Sequence, residues 1–278
     1  MITQRDLKNK LKSVNITQKL SDAVKSISAA KYYRINSAYN DFLPYAQALN
    51  DLSRTITDPY AGRTSSGKKC FVVISSNRGL CGGYNTNLFN FFKTLIEGQN
   101  NPLVIACGRR GIDVLSSNNI KIKKSFVFSD IPSYSESKAF GEYLINLYAS
   151  GEAGEIIMVY QKFKNILVQT PEFTTLLPLN FETGEEDEYT FYPGKEEVEK
   201  ALFEKVIKNQ VHFFLMEWAR GVNAATMTAM RTSSDNAKKL KADLELTLNR
   251  KRQSSVTSGV TETSHSENSN TPNAEGGK

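Results

Sequence analysis

Two stretches of this chain repeat apolar residues at spacings of three and four for longer than an ordinary globular helix does. From about Gln4 to Ile56 the pattern runs through Leu7, Leu11 and Val14, then through Leu20, Val24 and Ile27 in a shifted frame. The shift predicts a narrow apolar seam that wanders, as in an imperfect coiled coil. Pro44 is expected to kink this helix or break its bonding locally rather than end it, because Tyr45, Ala46, Leu49 and Leu52 continue the pattern. A second helix is expected from Gly194-Lys195-Glu196-Glu197, whose acids suit a helix N-terminus. It runs through Leu202, Val206, Phe213 and Met216 to Met227, Met230, Ala237, Leu240, Leu244 and Leu248. At ~1.5 Å per residue the two helices are roughly 80 and 90 Å long, more than the width of a small domain.

Between them the period changes. Cys70–Ser75, Leu103–Cys107 and Ile156–Tyr160 read as buried strands, with another strand near Ile120–Phe128 and an extended segment at Ile166–Leu177. Helices are expected at Leu88–Leu95, near Gly111–Leu115 and at Glu136–Tyr148. Strands alternating with helices indicate an α/β layer with a mainly parallel sheet. The fold class expected is therefore α/β. Residues 1–60 and 195–257 form an antiparallel coiled-coil shaft, 69–193 a Rossmann-like α/β domain, and 258–278 a disordered polar tail without aromatic residues.

At 40% hydrophobic and 23% charged, the 278 residues have ordinary globular composition. No apolar run reaches the ~18 residues of a membrane span. Met1–Asp6 has neither signal-peptide nor transit-peptide character, so the chain is expected to stay where it is made. The net charge of +6 is unevenly placed: residues 1–34 and 231–252 together carry +10, and the remainder −4. Such segregation predicts a basic surface for an acidic partner, whether nucleic acid, membrane or acidic protein loops.

No catalytic constellation emerges. Gly62–Lys69 nearly spells a phosphate-binding P-loop, but Lys69 stands where the Mg²⁺-ligating hydroxyl belongs, and the segment precedes a strand instead of following one. Asn77–Asn85 carries a GxxGG spacing, not GxGxxG, which suits a tight strand-to-helix turn. Cys70, Cys81 and Cys107 form no CxxC pair, and the only histidines, His212 and His265, give Cys81 no expected base. Glu185–Glu188 reads as a solvated loop without metal-ligand spacing. No cofactor or metal is expected.

Several of these segments resemble the gamma-subunit family of F-type ATP synthases. Asn15-Ile16-Thr17-Gln18-Lys19 and Ser28-Ala29-Ala30-Lys31 resemble its N-terminal helix, and Leu43-Pro44-Tyr45-Ala46 its RPYA turn. Ser75–Asn85 resembles its SSDRGLCGGFN segment, the most specific of the set. Tyr160–Phe163, Leu176–Leu179, Ala229-Met230, Asp235–Ala237 and Asn249–Gln253 follow in family order.

The resemblance implies a non-catalytic rotor shaft inside a hexamer of alpha and beta subunits, with the α/β domain as a foot on the membrane rotor ring beside the epsilon subunit. It implies a peripheral place on the cytoplasmic face of a bacterial inner membrane. It assigns Arg252 and Gln253 to an acidic beta-subunit loop, and Tyr189, Phe191 and Tyr192 to the stretch that meets the ring. Val222 and Thr226 stand where the family usually has an acid and an arginine, the apolar C-terminal turns are replaced after Thr257 by polar residues, and no inserted cysteine pair is present. The residues themselves leave two rivals open: a basic coiled coil binding nucleic acid, which lacks a base-reading module, and a Rossmann-type enzyme, which lacks its fingerprint.

Overall fold

The computed structural model describes residues 3–53, 58–60, 67–179, 192 and 194–268. Helix α1 (Gln4–Ser53) and helix α5 (Lys195–Asn268) bracket five strands and three shorter helices. These are β1 (Lys69–Ile74), α2 (Tyr84–Ile96), β2 (Leu103–Cys107), α3 (Arg109–Ser117), β3 (Lys124–Phe126), α4 (Tyr134–Ala149), β4 (Glu155–Phe163) and β5 (Gln169–Leu177).

The chain divides into two compact units, one reaching to Ala23 and resuming at Arg231, the other Val24–Met230. In the first, Gln4 Nε2 donates to Ser255 Oγ at 3.3 Å, and Ser21 and Ser233 share a hydroxyl hydrogen bond of 3.0 Å. Ser234 donates to Asp22 at 2.9 Å, so here the two helices run in opposite directions. Thr3 caps α1: its hydroxyl accepts from the Asp6 amide, while the Asp6 carboxylate accepts from the Thr3 amide and hydroxyl. This is a capping box with aspartate in the acid position.

The second unit holds a five-stranded sheet in the order β3-β2-β1-β4-β5. The first four strands are parallel, and β5 joins β4 as an antiparallel hairpin partner. Strand β1 is buried on both faces, and its side chains alternate between two cores. Phe71 and Val73 pack with Leu88, Phe89 and Phe92 of α2 and Leu115 of α3. Cys70, Val72 and Ile74 pack with Phe140 and Leu144 of α4, Ile35 of α1, and Phe203, Ile207 and Val211 of α5.

Residues 24–53 and 195–230 fall in the same compact unit as the sheet, with Ile35, Phe203, Ile207 and Val211 in its core. The strand expected over 120–128 is paired only at Lys124–Phe126, at the edge of the sheet. Helix α5 does not fray at Thr257 but continues to Asn268, since each added residue gains a backbone bond and no proline occurs before Pro272. Residues 269–278 lie outside the described residues. Helix α1 passes through Pro44 uninterrupted.

Candidate functional site

In an open α/β sheet, ligands enter the crevice outside the carboxyl ends of the strands where the strand order reverses. Here that point lies between β1 and β4. The glycine-rich connection from β1 to α2 closes on itself there: the Ser76 amide donates to Asn85 Oδ1 at 3.1 Å, and Asn85 Nδ2 donates to Ser76 Oγ at 2.7 Å. Leu80 and Gly82 take φ of 66° and 59°, the left-handed geometry that a tight turn demands. Helix α5 then fills the crevice. Trp218 Nε1 donates to the Ser75 carbonyl at 2.9 Å, and a Cβ at Gly221 would touch the Tyr84 ring at 3.4 Å. A pyrophosphate has no cradle here. Of the P-loop lookalike, residues 62–66 lie outside the described residues, while Lys69 opens β1 and pairs with Glu155 at 3.0 Å.

The nucleophile candidates behave as packing residues. Burial pushes the Cys70 thiol up to about 12 and raises that of Cys107 as well, so neither is a thiolate at neutral pH. Cys81 is buried, with Asn85 Nδ2 3.4 Å from its sulfur. His212 does have a hydroxyl partner that sequence reasoning missed: its Nδ1 lies 2.8 Å from Ser137 Oγ on α4. Ser137 is fully buried, and the imidazole is enclosed by the Phe42 and Tyr134 rings, so the pair joins three helices rather than facing a substrate. Among the described residues no group of three His, Cys, Asp or Glu side chains could hold a metal ion.

What the surface offers is charge and shape. From Thr3 to Ala23 and from Arg231 to Thr257 the first unit carries twelve Lys/Arg against five carboxylates. Arg252 and Gln253 lie there, both exposed on α5. Tyr192 is 91% exposed, and Tyr189 and Phe191 lie outside the described residues. In the second unit, Asp130 pairs with Lys31 of α1 and with Arg78 at 3.3 Å. The Lys31 hydrogen bond is the main cause holding the Asp130 carboxyl below its usual range. This ion cluster edges a cleft of about 190 Å³ floored by Val24, Ile27, Leu80, Val222 and Thr226. The two positions that depart from the family pattern therefore both line one cleft.

A family model described as ATP synthase matches residues 3–265. The ATP synthase gamma chain of Desulforamulus reducens is 32% identical over 94% of this chain and 97% of its own length. That of Rubrobacter xylanophilus is 32% identical over 94% and 96%. This chain belongs to the ATP synthase gamma chain family. Its fold is that of two chains from Euglena gracilis mitochondrial ATP synthase. One, from an OSCP/F1/c-ring structure, has a TM-score of 0.73 at 14% identity, covering 99% of this chain and 98% of that one. The other, from a rotor structure, has a TM-score of 0.68 at 16% identity, covering 91% and 98%. Gamma-chain membership gives the nucleic-acid reading no support. No helix among the described residues is long and apolar enough to cross a membrane.

Proposed function

We propose that this gamma chain is the central rotor shaft of an ATP synthase and carries no active site itself. The observation that carries the reading is the filled crevice: outside the carboxyl ends of β1 and β4, where this α/β topology would hold a small molecule, Trp218 and Gly221 of α5 are seated instead. What remains is a mechanical part: in the second unit the two long helices pack in the core of the sheet. Their portions in the first unit are the antiparallel coiled-coil shaft, and the sheet unit is the Rossmann-like foot beside the epsilon subunit and the membrane ring, with Tyr189, Phe191 and Tyr192 in the stretch that meets the ring.

An asymmetric shaft contacts each surrounding catalytic site differently, so its orientation shifts their nucleotide affinities in turn, and nucleotide binding reciprocally drives rotation. The basic first unit suits acidic loops of the beta subunits, with Arg252 and Gln253 supplying charge-assisted and neutral hydrogen bonds there. The chain is then a peripheral component on the cytoplasmic face of a bacterial membrane.

The test is reconstitution with alpha and beta subunits. The wild-type chain is expected to co-purify with them and to support ATP-driven rotation. The double change Arg252→Ala with Gln253→Ala should leave the fold within about 0.5 kcal/mol, as exposed helix positions do, and should lower coupled turnover. Failure of the wild-type chain to bind the hexamer would overturn the reading. Unchanged coupling in the double variant would remove only the assignment of these two residues.

A further inference from the structure

A shaft delivers torque only if its helices cannot twist against the domain that turns them. Helix α5 contacts the carboxyl end of β4 at Glu217 and Arg220, and one cluster there ties three elements together. Glu217 of α5 is buried and accepts the backbone N–H of Phe163, the last residue of β4, at 3.1 Å. One turn on, the Arg220 guanidinium lies 3.9 Å from the centre of the Tyr39 ring of α1 and 4.5 Å from that of the Phe163 ring. The cation therefore touches a ring of each of its neighbouring elements, α1 and β4. The rings are held in turn: Phe163 packs against Tyr32 at 5.9 Å and Tyr39 against Phe213 at 5.2 Å.

The buried Arg220 Nε has no hydrogen-bond partner, so ring contact and the Glu217 field, not a full set of hydrogen bonds, fix the side chain. Such a contact needs a planar, weakly hydrated cation, and lysine does not supply one.

We propose that Arg220 and Glu217 are the positioning residues of the torque-bearing joint, locking α1 and α5 to the end of β4. The inference rests on the rotor reading, and the experiment separates the two. Wild-type chain, Arg220→Ala and Arg220→Lys are assembled with alpha and beta subunits, and the angular fluctuation of a probe fixed to the sheet unit is recorded at a catalytic dwell. Arg220→Ala should assemble and hydrolyse ATP as wild type does, while its angular variance rises about threefold. Arg220→Lys should not restore the wild-type value. In the isolated full chain, hydrogen exchange at the Phe163 amide should quicken about tenfold in Glu217→Leu and stay unchanged in Glu217→Gln, which keeps the acceptor.

Should Arg220→Ala fail to fold, Tyr39→Leu removes the α1 ring alone and is read in the same way. A wild-type complex that assembles but never rotates overturns the rotor reading. A rotating complex whose variance is indifferent to Arg220→Ala, or is restored by lysine, overturns the joint.

Discussion

The Trp218 indole N–H donates to the Ser75 carbonyl at 2.9 Å, across 143 positions of sequence, and so fastens α5 to the carboxyl end of β1. Ser75 is the last residue before the glycine-rich turn, and it is tied from the other side as well: its hydroxyl donates to the Cys107 carbonyl at 2.8 Å. The Gly108 backbone comes so close that a Cβ there would lie 2.2 Å from the Ser75 oxygen. The crevice of an α/β fold has thus become the seat of a helix. The glycine-rich turn serves to attach α5 to the sheet.

Trp218→Phe removes the indole N–H while keeping an aromatic ring at the site. It leaves the buried Ser75 carbonyl short of a donor, an expected loss of about 1–3 kcal/mol in urea unfolding. Trp218→Ala also opens a cavity beside Phe128, whose ring centre is 6.4 Å from the indole, and should cost about 3–5 kcal/mol. A Trp218→Phe variant as stable as wild type would show that the indole N–H contributes nothing.

A seat already occupied should refuse ligands. Calorimetry of the isolated chain with Mg-ATP and with NAD is expected to show no saturable heat at sub-millimolar concentration. A stoichiometric micromolar isotherm would restore the enzyme reading and require α5 to leave the crevice.

The long helices were legible because spacings of three and four persist in them, and the first residue of each, Gln4 and Lys195, lies where the pattern and the acids place it. Strands β1, β2 and β4 were legible because strands buried on both faces carry continuous apolar runs, here Cys70–Ile74, Leu103–Cys107 and Ile156–Tyr160. The capping box at Ser133 and Glu136 has a local signature too, S-x-x-E. No local pattern shows that Ile35 and Phe203 belong to the core of the sheet, or that Tyr39, Phe163 and Arg220 meet. These contacts join residues more than 50 positions apart, and a helix-period pattern states only that some face is buried. The Ser137–His212 pair escaped for the same reason.

The start of α4 offers a pH-dependent test. Burial alone would raise the Glu136 carboxyl, but hydrogen bonds from the amides and hydroxyls of Ser133 and Ser129 outweigh it and lower its pKa from 4.5. A depressed carboxyl contributes stability that is complete above 4.5 and is lost as pH falls through the folded value. Ser133→Ala should cost about 1 kcal/mol at neutral pH. Glu136→Gln should flatten the acid limb of the stability profile. An unaltered limb in the glutamine variant would exclude Glu136 as its source.

His212 should give a second, separate pH dependence. Its ring lies 4.9 Å from that of Phe42 and 5.4 Å from that of Tyr134, both in edge geometry, with Ser137 Oγ at 2.8 Å from Nδ1. Ser137 Oγ also donates to the Ser133 carbonyl at 3.1 Å, so its lone pair is left to accept from a neutral imidazole N–H. Burial lowers the His212 pKa from 6.5, so the folded chain holds the ring uncharged where the unfolded chain begins to protonate it. The unfolded state then binds more protons just below 6.5. The contribution is complete above that value and declines as pH falls toward the folded pKa. Urea midpoints are therefore expected to decrease as pH falls below 6.5, a window that opens above that of Glu136. His212→Gln should be less stable at pH 7, because it loses both ring contacts, yet it should show a flatter profile across the window. A glutamine variant with the wild-type slope would place the titrating group elsewhere and leave His212 as a packing residue only.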